Sequence, residues 1–329
     1  MTLSDMNDER LARARGALWG QAVGDALGTT VEFRDELGIA TREPSAWPQE
    51  LIGEGPFGLL PGQITDDTEL ALALARSLQR NEAWKEDDVA ASYLRWRQSD
   101  PFDVGNATNL AFGGKVPAGA SPAAVVRGRA SQETQANGSL MRSSPLGVFG
   151  AGLPRAELAA LAREDSKLSH PNEVPQWACA VFVTTIADAI VTGASGPELH
   201  ARALEFARGS PVEDTLRASL NELPVSDGAN QGWVRIALQH AFFHLSRAEG
   251  FSPVAPPARK SFEGALIQTV VKGGDADTNA AITGALLGAT LGVQSIPARW
   301  IETVRDCLPQ RPVEYRCADL NELARAVLR

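Results

Sequence analysis

The sequence predicts a mainly α-helical fold, and three observations carry that prediction. Apolar residues recur at helical spacing along most of the chain, few runs alternate with period two, and β-branched residues do not cluster. The 329 residues allow one large domain or two ordinary ones. A hydrophobic content of 44% is close to the globular norm, so a sizeable core can form.

In chain order, residues 1–12 read as a flexible lead, charged and without the apolar centre of a secretory signal. Gly16, Gly20, Gly24 and Gly28 then recur every fourth residue, with Leu18, Trp19, Val23 and Leu27 between them. Positions four apart share a helix face, and glycine there lets another backbone come close. Each such glycine costs about 1 kcal/mol against alanine, so the pattern reads as a packing face. No Walker or GxGxxG pattern accompanies it. Thr41 to Gly62, rich in Pro and Gly, reads as a loop. Leu70 to Leu78 is the next helix, with Leu70, Ala71, Leu74 and Leu78 on one face, and Val89 to Trp96 follows. Pro101 and Asp103-Val-Gly-Asn106 signal a turn, and Gly113 to Ala123 another loop.

Asn137 to Arg142, polar and ahead of the apolar Leu146 to Phe149, reads as a helix N-terminus, a place where free N–H groups also bind phosphate. Arg155 to Ala162, Trp177 to Val191, Pro197 to Ala207, Gly232 to Ala248 and Leu320 to Leu328 are predicted helices. His170 falls in a loop between the first two and reads as a surface residue; Ser252 to Pro257 is a further loop. Gly284, Gly288 and Gly292 repeat the front glycine pattern near the back. His240 and His244 have zinc-compatible spacing, but without a neighbouring Glu they read as ordinary helix residues. No stretch resembles a linker, so a single domain spanning 1–329 is expected.

The formal charge of −9 and pI near 5.1, with no Lys/Arg run, argue against a nucleic-acid groove. They leave room for a small anion held by backbone amides. Cys179, Cys307 and Cys317 are an odd number without metal-type spacing, which fits a reducing, cytoplasmic setting. The longest apolar stretch, Ala178 to Val191, is broken by Asp188 and too short to span a bilayer, so no membrane partner is expected. No apolar surface stripe stands out, which favours a monomer.

Two acidic blocks carry the chemistry. Thr65-Asp66-Asp67 and Asp275-Ala276-Asp277-Thr278 each stand at the start of a helix-like stretch. An Asp at a helix start is ordinarily an N-cap, and Asp66 with Glu69 fits a capping-box variant. That accounts for one carboxylate per block and leaves Asp67 and Asp277 unexplained. Like charges crowded together repel unless a cation neutralises them. Four carboxylates and two hydroxyls form an all-oxygen set suited to Mg²⁺ or Mn²⁺.

Six stretches in order resemble the ADP-ribosylglycohydrolase family, most closely its dinitrogenase-reductase-activating branch: Gly16 to Gly28 with Glu32-Phe33, Pro61 to Glu69, Asp103 to Asn106, Asn137 to Arg142, Ser169 to Pro171, and Gly273 to Asn279. The resemblance implies a compact all-α, single-domain orthogonal helical bundle with a central cleft for two divalent cations, Mg²⁺ or Mn²⁺. On the matching motifs, Thr65, Asp66, Asp67, Asp275, Asp277 and Thr278 stand at metal-ligand positions. Glu32 and Asp103 become the candidates for general acid/base work. Gly105, Asn106, Asn137, Gly138, Ser139, Met141 and His170 fall in loops that would cradle ADP-ribose. The implied activity is hydrolysis of the N-glycosidic bond joining ADP-ribose to a protein side chain, arginine foremost. The implied partners are an ADP-ribosylated protein and the product ADP-ribose. Alternatives are action on serine-linked, poly- or O-acetyl-ADP-ribose, or a non-enzymatic ADP-ribose-binding protein on the same fold. Asn172 and Lys272 depart from the branch's pattern, and Leu199 to Pro257 carries little family signal.

Overall fold

The computed structural model describes residues 3–40, 49–226, 228–248 and 262–329. Among them there is no β-strand, only the isolated bridges Glu54–Leu59 and Ala136–Trp233. The fold is all-α, as the periodicity predicts.

The first helix, α1 (Leu3–Gly28), differs from the expected flexible lead, because residues 3–12 are helical. Arg13 pairs with Glu9 one turn back at 3.3 Å, and Arg10 donates to the carbonyl of Arg329, tying the start of the chain to its far end. A short α2 (Glu36–Ala40) follows. Residues 41–48 of the predicted loop lie outside the described residues; its remainder holds a 3-10 turn at Gly55–Phe57. Next come α3 (Asp66–Asn81), α4 (Glu86–Gln98), α5 (Asn106–Phe112) and α6 (Pro122–Arg129). Asn137 to Arg142 is a run of turns rather than a helix start, and α7 (Ser144–Phe149) begins beyond it.

The middle of the chain is α8 (Arg155–Lys167), α9 (Glu173–Thr192), α10 (Gly196–Phe206), α11 (Glu213–Ala218) and α12 (Val234–Leu245). At 20 residues α9 is long and apolar enough to cross a bilayer, but most of it is buried inside the protein. It is a core helix, and its Asn172 side chain accepts from the N–H of Val174 as an N-cap. His240 and His244 are both buried in α12. The predicted loop Ser252 to Pro257 lies outside the described residues. The chain closes with α13 (Phe262–Val270), α14 (Ala276–Leu291), α15 (Ala298–Asp306) and α16 (Leu320–Val327).

The two glycine patterns meet each other. A Cβ placed on Gly16, Gly20 or Gly24 would stand 2.1 Å from the carbonyl oxygen of Gly288, Gly284 or Ala280 respectively. The pairing runs antiparallel, so the C-terminal end of α1 lies against the N-terminal end of α14, with Gly28 against the backbone of Asp277. Every residue of α14 is buried, including the polar Asp277, Thr278, Asn279, Thr283 and Thr290. One apolar cluster gathers around this pair, with Trp19, Trp96, Tyr93, Phe112, Phe182 and Trp300 among its largest members.

Candidate active site

The cleft forms where three helix ends converge: the end of α1 and the starts of α3 and α14. The capping arrangement there is not the expected one. Thr65 is the N-cap of α3 and Asp275 that of α14, yet neither side chain caps its helix. Instead Asp25, on α1, accepts the N–H groups of Thr65 and Thr68 at 3.1 Å. A buried carboxylate from another helix thus satisfies the orphan donors of α3. Glu69, the other half of the supposed capping box, turns away to a buried ion pair with Arg311 at 2.7 Å and accepts from Trp96 Nε1. Asp66 and Asp67 are left free of capping duty.

A cleft of about 350 Å³ opens above these ends. Glu32, Asp66, Asp67, Asp103, Asp275 and Asp277 line it, and among the described residues no Lys or Arg does. Carboxylate oxygens of Glu32, Asp103 and Asp277 lie within 4.8 Å of one another, so the tightest acidic triad joins both acid/base candidates to one expected ligand. Thr278 Oγ1 donates to Asp67 Oδ2 at 3.2 Å. Asn137 Nδ2 donates to Asp275 Oδ2 at 2.7 Å and holds that carboxylate in place. Thr65 is different: it is fully buried beneath the cleft, its hydroxyl 3.0 Å from Asp25 Oδ1 and 3.2 Å from Asp67 Oδ2, so it supports the wall rather than lining it.

This crowding shows in the carboxyl groups. Burial, with Asp103 and Asp275 beside it, pushes Glu32 up to about 10. Burial and Asp275 push Asp103 up to about 6. Burial raises Asp25 to about 7 against the lowering effect of its Thr68 and Thr65 hydrogen bonds. Burial and neighbouring carboxylates raise Asp66, Asp67 and Asp277 well above the ordinary range. Glu32 Oε2 and Asp67 Oδ1 are buried and accept no hydrogen bond from the protein. Unpartnered buried carboxylate oxygens in an all-oxygen pocket are what a hard divalent cation requires, and its charge would reverse these upward shifts.

The remaining wall is polar and neutral. Gly105, Asn106, Asn137, Gly138, Met141 and His170 line it, together with Thr108, Gln231 and Gly232, which sequence reasoning passed over. The N–H of Asn137 donates to the Gly232 carbonyl at 3.0 Å, which pins this wall to the entry of α12. Ser139 does not reach the cleft: its hydroxyl is buried against Ser166 at 2.9 Å. His170 is not a surface residue either; it is fully buried, and burial with Arg142 lowers it to about 3. The imidazole is therefore neutral. Arg142 Nη1 donates to Ser169 Oγ at 2.7 Å, and Ser169 Oγ stands 2.8 Å from His170 Nδ1. Ser169 Oγ can accept from Arg142 and donate to Nδ1 at once, and in that arrangement the ring N–H sits on Nε2. That atom has no protein partner and belongs to the cleft wall. A Cβ on Gly138 would stand 3.2 Å from it, so glycine there keeps the donor open.

Two supports lie within the matching motifs but carry no role in the sequence reading. Gln21 of α1 donates to the carbonyls of Asp67 and Met141 and accepts from Ser144, joining the acidic lining to the neutral lining. Arg142, fully buried, donates to Asp165 at 3.2 Å and to the Gly138 carbonyl at 3.3 Å, and lies 4.5 Å over the Tyr93 ring.

Carboxylates able to hold a cation and neutral polar groups thus share one cleft. The chain belongs to the ADP-ribosylglycohydrolase family, whose sequence model matches residues 6–329. It is 32% identical over 323 residues to the ADP-ribosyl-[dinitrogen reductase] glycohydrolase of Rhodospirillum rubrum, covering 95% of this chain and 96% of that protein. It is 29% identical to the ADP-ribosylarginine hydrolase Tri1 of Pseudomonas putida (90% and 75% covered), and 26% to ADP-ribosylhydrolase ARH3 of Homo sapiens (88% and 88%). A solved structure, an ADP-ribosylglycohydrolase-related protein complex, superposes with a TM-score of 0.76 at 30% identity, over 97% of this chain and 98% of that one. The activity that follows is glycohydrolysis of ADP-ribosylated substrates.

Proposed function

We propose that this enzyme cleaves the N-glycosidic bond between ADP-ribose and arginine in a modified protein, with Mg²⁺ or Mn²⁺ in the acidic cleft. The observation that carries the arginine assignment is the charge of the cleft: six carboxylates and no basic side chain line it among the described residues, a surrounding that favours a cationic guanidinium. Two relatives point the same way, one named for ADP-ribosylarginine and one for dinitrogen reductase.

Bound divalent cations would supply positive charge to the ribose oxygens and an oriented water. Asp66, Asp67, Asp275, Asp277 and Thr278 are the proposed ligands, with Glu32 completing the set on the strength of its free buried oxygen. Asp103, half-buried on the loop before α5, takes the proton of the attacking water. The water oxygen bonds to the anomeric carbon as the carbon–nitrogen bond breaks, and the proton passes to the departing nitrogen. His170 Nε2–H and the amides around Gly138 hold the pyrophosphate, which reconciles an acidic protein with an anionic ligand.

The test is a panel of arginine-linked, serine-linked, poly- and O-acetyl-ADP-ribose, each with Mg²⁺ and Mn²⁺. Release from arginine, abolished in Asp66→Ala and cut at least ~10²-fold in Asp103→Asn, supports the reading. Release from serine or the O-acetyl ester alone sinks the arginine assignment and leaves the glycohydrolase. The panel is needed because the relative ADP-ribosylhydrolase ARH3 carries no acceptor in its name.

A further inference from the structure

Three phenylalanines stand in a row at one lip of the cleft. Phe33 and Phe57 meet edge-to-face with ring centroids 6.3 Å apart, and Phe57 and Phe102 do the same at 5.6 Å. All three are open to solvent, Phe33 at 53%, Phe57 at 36% and Phe102 at 38%. Large aromatics are normally drawn into the core, so a contiguous exposed row marks a surface awaiting contact.

The backbone holds the row at a cost. Four non-glycine residues among those described have positive φ, and three of them serve this lip: Phe33 itself at 61°, Glu54 at 64° ahead of Phe57, and Asp100 at 55° ahead of Phe102. Such conformations persist only where the surroundings enforce them, and they gather at functional sites. At Phe33 the enforcement is visible. Its N–H donates to the Gly274 carbonyl at 2.7 Å, and the Gly274 N–H returns a bond to the Arg34 carbonyl at 2.8 Å. The ring is thereby clamped to the loop that presents Asp275.

Sequence adjacency places the row beside the acidic triad. Phe33 follows Glu32 and Phe102 precedes Asp103, two members of the acidic triad. If the anomeric carbon sits at the triad and the pyrophosphate at the neutral wall, the group beyond the scissile bond passes over the rings. That group is the acceptor side chain. A planar cation on aromatic faces beside carboxylates is complementary in shape and charge.

We propose that Phe33, Phe57 and Phe102 form an aromatic ledge that stacks the acceptor's guanidinium and so selects a cationic leaving group. The ledge rests on the arginine reading of the cleft, and binding of the leaving group alone tests it without turnover. The probes are agmatine and carbamoylputrescine, which share an ammonium and differ in that a neutral urea replaces the guanidinium, titrated into the Mg²⁺-loaded full-length enzyme by calorimetry, with ADP-ribose as a third ligand. Wild type should bind agmatine roughly 5- to 30-fold tighter than the isostere, the range that cation–π contact affords. Phe57→Ala and Phe102→Ala should erase that preference, Phe57→Tyr should keep it, and ADP-ribose affinity should not move. Equal binding of the two probes by wild type overturns the ledge, as does an agmatine affinity untouched by Phe57→Ala. A fall in ADP-ribose affinity with no change for agmatine also overturns it, by placing the adenine ring there. Failure of the arginine reading would instead appear in the linkage panel, as no release from arginine.

Discussion

Replacing Gly24 by alanine presses on the contact that builds the cleft. The new Cβ would lie 2.1 Å from the Ala280 carbonyl oxygen, 2.5 Å from its carbon and 2.9 Å from the Ala281 nitrogen. All three are backbone atoms of α14, so no side chain can rotate away, and the helices must part by roughly 1 Å to reach ordinary contact. Overpacking typically costs about 1–3 kcal/mol, and the upper end applies where backbone meets backbone. Alanine recovers about 1 kcal/mol of helix propensity, which leaves a net loss near 2 kcal/mol. Urea unfolding with and without Mn²⁺ measures it. Gly128→Ala is the control: it lies in α6, where a Cβ meets nothing within 4 Å, and alanine should stabilise by about 0.4–1 kcal/mol. Gly16→Ala makes an equally close contact, 2.1 Å from the Gly288 oxygen, at the far end of the seam. Both seam variants should lose stability, but Gly24→Ala should lose more Mn²⁺ affinity because its contact lies one turn from Asp277. A Gly24→Ala protein as stable as Gly128→Ala, or one with full Mn²⁺ affinity, would refute the reasoning.

Without cation, stability should fall as pH rises. Asp103 and Asp25 are raised from 3.8 to about 6 and about 7, so the folded state binds protons more tightly than the unfolded chain. The stability present near pH 4 is lost by about pH 7, and saturating Mn²⁺ should restore it; a metal-free urea midpoint that rises between about pH 5 and pH 8 contradicts this. Asp25→Asn turns an amide N–H toward donors that need an acceptor, and should lower stability by about 1–3 kcal/mol while weakening Mn²⁺ binding, both read by titration and denaturation. Arg142→Met strands the buried Asp165 carboxylate, and a loss of about 3–5 kcal/mol is expected in the urea midpoint. Gly138→Ala places a Cβ 2.9 Å from Thr108 Oγ1 and 3.0 Å from His170 Cε1, so ADP-ribose affinity should fall while the urea midpoint moves little.

Much of this was legible from the chain. Helical period located α3, α4, α8, α9, α10, α12 and α16, and the four-residue glycine spacing correctly read as a packing face. Short helices such as α5, α7 and α11, at six or seven residues, complete too few turns to declare a period. In the site, local motifs singled out the acidic blocks because crowding of like charge is visible in sequence. Asp25 was missed because its role is to cap a helix that begins forty positions later, and nothing in its own neighbourhood records that. His170 looked like a loop residue because polarity near Pro171 suggests exposure, whereas Arg142 and Ser169 supply the polar company that lets it be buried. Ser139 and Thr65 sit within the right motifs but face inward, since a motif gives position and not direction.

The antiparallel seam of α1 and α14 also sets an order of events during synthesis. One partner is made first and the other after most of the chain has been translated, so this close backbone contact joins residues as far apart in sequence as Gly16 and Gly288. Contacts of such separation form late, because the intervening loop must be closed before they repay it. Until α14 leaves the ribosome, Glu32, Asp66 and Asp67 have no Asp275 or Asp277 to face. A nascent or truncated chain can hold half the acidic set but not the cleft, so cation capture coincides with completion of the fold.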